Sequence, residues 1–157
     1  MPTFEQLEKE AIEILDSEIV MPIDEIRLGT AFSELPQPEE IAQRLIKTLF
    51  QHNNFHIRRV AVQAWRRIAN PDVSGLREAL LQALEDPEGW VRYDAAWAIR
   101  SIGYKDKTIM HSLAKLADGA VYPDHREELE ASLSDSNNRA RLEAAHAIHE
   151  LNESSDA

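Results

Sequence analysis

His146 and His149 stand three residues apart with Glu150 beside them, and His52 and His56 stand four apart. Either spacing puts two imidazoles on one helical face, which suits a divalent metal. A complete site needs one or two more ligands, and no His-Glu-x-x-His run supplies them. Polar surface histidines are the preferred reading, and no metal is expected. Carboxylates that could do acid–base work gather at Asp124, Glu127, Glu128 and Glu130. They fall where a helical pattern begins, so they read as a solvated face complementing the helix dipole. The chain holds no cysteine, which excludes disulfides, thiolate metal sites and cysteine nucleophiles. Without a Gly-rich phosphate loop, a nucleophile elbow or a Ser/His/Asp constellation, no catalytic centre and no cofactor are predicted.

The elements that carry these side chains read as helices throughout. Of 157 residues, 43% are hydrophobic and only five are glycine, enough apolar material for one core and few breaks in it. Helical spacing predicts segments at about 3–16, 23–35, 39–51, 55–69, 74–85, 90–103, 107–118, 124–133 and 138–151. Thr3 and Gln6 form a capping-box pattern at the first. Pro22 starts the second, and the Pro36–Pro38 stretch ends it. The linkers are short and carry turn chemistry, as in Asn70-Pro71-Asp72 and Asp86-Pro87-Glu88.

An internal repeat organises these helices. An offset of about 34 residues lays Ile57-Arg58 on Val91-Arg92, Ala61 on Ala95, Ala64 on Ala98 and Trp65 on Ile99. A further offset of about 49 lays Arg92 on Arg141, Ala95 on Ala144, Ala98 on Ala147, Ile99 on Ile148 and Asp86 on Asp135. The extra residues before the third copy read either as an inserted helix at 107–118 or as a unit that has lost its second helix. Asp86-Pro87, Val91-Arg92, Ala95-Ala96, Ala98-Ile99 and Ile102-Gly103 together resemble the HEAT-like repeat family, in particular its short bacterial phycobilisome-lyase type. The first copy departs from that pattern with Ala69 in place of the glycine, and the third with Ser136 and Asn152.

The resemblance implies an all-α fold, an α-α superhelix or short HEAT-like solenoid of stacked antiparallel helix pairs. It implies architecture far more than activity, since such repeats carry scaffolds, adaptors and bilin lyases alike. The expected organisation is a single domain over 1–157, with a divergent amino-terminal cap at 1–37, repeats at 38–152 and a frayed tail at 153–157. In the cap, Phe4, Leu7, Ala11, Ile14, Ile26, Ala31 and Phe32 are expected to face inward.

Within each repeat the second helix has two faces. Val91, Ala95, Ala98, Ile99 and Ile102 form a buried stripe, and Trp65 is core by the same register. Arg58, Arg92 and Arg141 edge that stripe and, with Asp86 and Asp135, predict a structural Asp–Arg ladder, which the resemblance also implies. Arg59, Gln63, Arg66, Tyr93, Trp97, Arg100, Leu142, His146 and His149 lie opposite the stripe and form the candidate partner-binding strip on a concave face. The alternative is that amino-terminal helices or the inserted segment cover it. Trp90, at a helix start, is read as packing under the preceding turn.

Charge narrows the partner. The chain holds 28 acidic and 17 basic residues, a net charge of −11, which opposes nucleic acid and anionic membrane. Residues 1–43 hold 11 acids and 2 bases, whereas residues 44–102 hold 6 acids and 9 bases. The leading reading is therefore a non-catalytic protein-interaction or scaffold module for a partner with an acidic surface. Bilin binding, with arginines on propionates and aromatics on the rings, is the alternative that the lyase resemblance supplies. DNA binding, as in helical-repeat alkylpurine glycosylases, is third. No leader pattern and no apolar run of roughly 20 residues is present, so a cytoplasmic protein is expected, of an oligomeric state the sequence leaves open.

Overall fold

A computed structural model describes residues 1–120 and 135–153. Among the described residues it contains eight α-helices, one 3₁₀ turn and no strand. The helices are α1 (Phe4–Leu15), α2 (Pro22–Ser33), α3 (Pro38–Lys47), α4 (Phe55–Ile68), α5 (Leu76–Ala83), α6 (Gly89–Ile102), α7 (Lys107–Ala117) and α8 (Ser136–Glu153). The helix expected at 124–133, with its acidic run Asp124, Glu127, Glu128 and Glu130, lies outside the described residues, as do the last four residues of the expected tail. The fold is all-α, built of packed helical repeats. The chain forms two compact units, Met1–Ala79 and Leu80–Ala157.

In the first unit, the α1 start is the capping box the sequence suggests: the Gln6 amide donates to Thr3 Oγ1 at 3.1 Å and the Thr3 amide to Gln6 Oε1 at 2.9 Å. Phe4, Leu7, Ala11 and Leu15 are buried, and the Phe4 ring meets Phe32 of α2 edge-on at 5.2 Å. Asn54 caps α4 by accepting from the His56 amide, and its Nδ2 donates to the Leu15 carbonyl at 3.0 Å, which ties the end of α1 to the start of α4.

The inward face of α2 is Glu25, Leu28, Gly29 and Phe32. Ile26 is 44% exposed, contrary to the inward placement that its apolar side chain suggests, and Ile14 and Ala31 are only half-buried. The cause is the partner helix. A Cβ on Gly29 would sit 3.1 Å from Gln63 Cβ and 3.5 Å from the Val60 carbonyl oxygen of α4, so α2 turns its smallest residue toward α4. That rotation carries Glu25 inward, where Arg59 stands 3.3 Å and His56 Nδ1 3.5 Å from its carboxylate.

The expected helix at 39–51 divides into α3 and a 3₁₀ turn, Leu49–Gln51. Thr48 leaves helical geometry at φ −115° and ψ −98° while its hydroxyl donates to the Arg44 carbonyl. At the end of α4, Ala69 occupies the left-handed region at φ 51°, where the second copy has Gly103 at φ 93°. Both residues close the same bond, donating to the carbonyl four residues back. The alanine bears the steric cost that glycine avoids, about 1–2 kcal/mol.

In the second unit, α6 and α7 both pack on α8. Val91, Ala95, Ala98 and Ile99 are fully buried on α6, and Ala140, Ala144, Ala147 and Leu151 are buried on α8. Ile148, aligned with Ile99 by the repeat, is only half-buried. Small residues allow the close approach: a Cβ on Gly89 would fall 2.7 Å from the Ser136 backbone carbon and 2.9 Å from the Asn137 nitrogen. The described part of α8 runs to Glu153, so the first residue of the expected frayed tail is helical. No described helix is long and apolar enough to cross a membrane.

Candidate functional site

In the second unit, the face of α6 opposite its buried stripe carries an aromatic row. Trp90, Tyr93 and Trp97 follow one another at helical spacing, Trp90 meeting Tyr93 edge-on at 5.7 Å and Tyr93 meeting Trp97 at 5.9 Å. Two arginines flank it. The Arg139 guanidinium from α8 lies 5.2 Å from the Tyr93 ring centre and donates to its hydroxyl at 3.3 Å, and Arg100 lies 5.8 Å from the Trp97 ring. Both distances suit cation–π attraction. All three aromatics are half-buried.

The facing side of α8 holds Arg100 in place. Arg100 Nη2 stands 2.8 Å from Glu143 Oε1, and Nη1 stands 3.2 Å from Glu150 Oε2. Burial alone would lower the Arg100 pKa, but the hydrogen bonds and charges of Glu143 and Glu150 outweigh it, and the guanidinium sits above the ordinary arginine value. Glu150 is held below the ordinary carboxylate value, first by its hydrogen bond from Arg100. His146 Nε2 lies 2.9 Å from Glu150 Oε1. His149 is exposed and stands 4.0 Å from Glu153.

On this face α6 meets α8 through Tyr93 with Arg139 and through Arg100 with Glu143 and Glu150, while on α8 itself His146 and His149 are exposed and Leu142 is half-buried. In the first unit the corresponding residues have another environment. Gln63 is 5% exposed beneath α2, Arg59 pairs with buried Glu25, and Arg66 is half-buried near the end of α4. The amino-terminal helix α2 therefore covers Arg59 and Gln63. Trp65 is in the core, its indole donating to the Ala42 carbonyl at 3.0 Å.

Sequence reasoning missed three members of the α6–α8 face. Trp90 joins the aromatic row, a placement already signalled by its spacing of three and seven residues from Tyr93 and Trp97. Arg139 aligns with Trp90 in the repeat, so a cation there faces the same row. Glu143 had no signal of its own, because only the packing of α6 on α8 identifies its partner.

The ladder residues take up turn chemistry. Arg58 Nη1 donates to the His52 and Asn53 carbonyls at 3.0 and 2.9 Å. Arg92 donates to the Asp86 carbonyl and to Asn137 Oδ1. The Asp86 carboxylate accepts from the Glu88 amide at 2.9 Å, and that of Asp135 from the Asn137 amide at 3.1 Å. Of the paired histidines, His52 accepts from the Asn54 amide while His56 faces Glu25. Among the described residues no group of three or more His, Asp or Glu side chains could hold a metal ion.

No curated protein and no solved structure matches the chain. A family model of HEAT repeats matches residues 42–121, half of the chain, across α4, α5, α6 and α7. With its helical copies packed through alanine-rich stripes, the chain belongs to the HEAT repeat family.

Proposed function

We propose that this chain is a non-catalytic interaction module whose α6–α8 face, Tyr93, Trp97, Arg100, Leu142, His146 and His149, receives an acidic segment of a protein partner. HEAT repeats commonly serve as protein-interaction scaffolds. The observation that carries the reading is the half-buried row Trp90–Tyr93–Trp97 flanked by Arg139 and Arg100. Tryptophan, tyrosine and arginine dominate binding energy at protein interfaces, because rigid rings bury much area at little entropic cost. The acidic character of the partner is drawn from the basic excess of residues 44–102 in an otherwise acidic chain. Arg100 already has Glu143 and Glu150, so a partner carboxylate would compete with those acids, and the aromatic edges would supply most of the affinity. Residues 1–37 are proposed as the cap of the first unit, supported by burial of Leu28, Gly29 and Phe32 on α2.

Photo-crosslinking locates the contact. With p-benzoylphenylalanine in place of Leu142, a protein adduct is expected in extract of the cells that make the chain, and the same group in place of exposed His111 on α7 should give none. Equal adducts at both positions, or none at Leu142, would count against this face. The tetrapyrrole alternative rests on the resemblance to lyase-type repeats alone, and a shifted bilin absorbance band on mixing would favour it.

A further inference from the structure

We infer that a groove in the second unit, distinct in its residues from the aromatic row, is a binding site for a carboxylate group and that Arg141 is its principal ligand. The groove has a volume of about 490 Å³ and is lined by α6, α7 and α8 residues including Arg92, Ser112, Lys115, Asn137 and Arg141. That size suits a small ligand or a side chain of a docked segment.

The argument starts from what the same arginine does in each copy. Arg58 and Arg92 each donate to the carbonyl six residues before them, His52 and Asp86, and so pin the turn that precedes their helix. Each stands three residues into its helix, since α4 starts at Phe55 and α6 at Gly89. In the third copy α8 starts at Ser136, so Arg141 stands five residues in. The carbonyl it would reach belongs to Asp135, and that oxygen already accepts the Arg139 amide at 2.9 Å. Extending the helix into the turn has removed the structural task of the arginine. Arg141 is half-buried and makes no hydrogen bond or ion pair among the described residues.

A half-buried arginine with no protein acceptor among the described residues leaves its planar donor fork available to bind one. Its surroundings select the anion. Arg92 and Lys115 add two positive charges, whereas Glu85 and Asp118 at the same groove add two negative ones. Lys115 is already 3.4 Å from Glu85 in an exposed pair, which is weak and screened. The net balance with Arg141 is one positive charge, which matches a single carboxylate better than a phosphate dianion. Ser112 and Asn137 supply neutral hydrogen-bonding groups beside it.

The test uses the full-length ¹⁵N-labelled protein and its Arg141→Gln and Arg92→Gln variants. The Arg141 side-chain Nε–H resonance, assigned by its loss in Arg141→Gln, and the Ser112 and Asn137 backbone amides of the groove, which every variant retains, are followed during titration with glutarate, with the peptide acetyl-Gly-Glu-Leu-Glu-Gly-amide, and with inorganic phosphate at constant ionic strength. The expected result is a saturable shift with glutarate or the peptide, and affinity weakened by about tenfold or more in Arg141→Gln. A response to the peptide alone would assign the carboxylate to a protein segment, and one to both would admit a small dicarboxylate. Arg141→Gln should keep the wild-type melting temperature, whereas Arg92→Gln should lower it by releasing a turn. The inference is overturned by an unmoved Arg141 signal, by phosphate binding more tightly than both carboxylate probes, or by equal loss of melting temperature in the two variants.

Discussion

Trp65→Ala is expected to destabilise the chain by about 3–5 kcal/mol, the cost of removing a buried aromatic side chain and leaving a cavity that packing cannot fully close. Trp65 is fully buried in the first unit, with Phe50 edge-on at 5.0 Å and its indole N–H on the Ala42 carbonyl. Three consequences of one substitution therefore add: lost apolar area, lost aromatic contact and a lost hydrogen bond. Trp65→Phe retains most of the volume and should lose about 1–2 kcal/mol, because the Ala42 carbonyl then lacks this donor. Urea denaturation followed by circular dichroism measures both. A Trp65→Ala loss below about 1 kcal/mol would mean that the first repeat is not packed through this residue.

In the second unit the corresponding substitution, Ile99→Ala, should cost about 2–5 kcal/mol, since Ile99 is fully enclosed on α6. The repeat alignment alone would assign Ile148→Ala the same value. The structure separates them, because Ile148 is half-buried and the loss scales with the apolar area removed from water. Roughly half the Ile99 effect is expected at Ile148. α6 has α8 packed along it. Thermal or urea unfolding of the two variants checks the ratio, and equal losses would show that α8 is enclosed as α6 is.

Those contrasts show what periodicity can and cannot reveal. The alanine stripe on α6, Trp65 in the core and the Thr3–Gln6 cap were legible because each depends on local spacing or on one helix face. Glu25 was not. A carboxylate at helical spacing reads as exposed, and its neighbour Ile26 as buried, until Gly29 fixes how α2 lies on α4 and Arg59 and His56 meet the acid. Gln63 and Arg59 were misleading for the same reason: their polarity suggested an open face that α2 covers. The aromatic row needed only the spacing of Trp90, Tyr93 and Trp97, whereas Glu143 and Glu150 became partners of Arg100 only through helix packing. Arg141 is the subtler case, since its repeat position gives the structural role and the earlier start of α8 removes it.

Affinity capture with purified wild-type protein and Trp97→Ala, compared by quantitative mass spectrometry, tests the interaction role most directly. Both proteins must first show the same helical circular dichroism and melting temperature within a few degrees, so that recovery reports the surface and not the fold. Partner recovery with Trp97→Ala is predicted to fall by at least about tenfold, as expected where an aromatic anchor contributes about 2 kcal/mol or more to binding. Unchanged recovery by a folded Trp97→Ala protein would contradict the assignment of the α6–α8 face as the partner-binding surface.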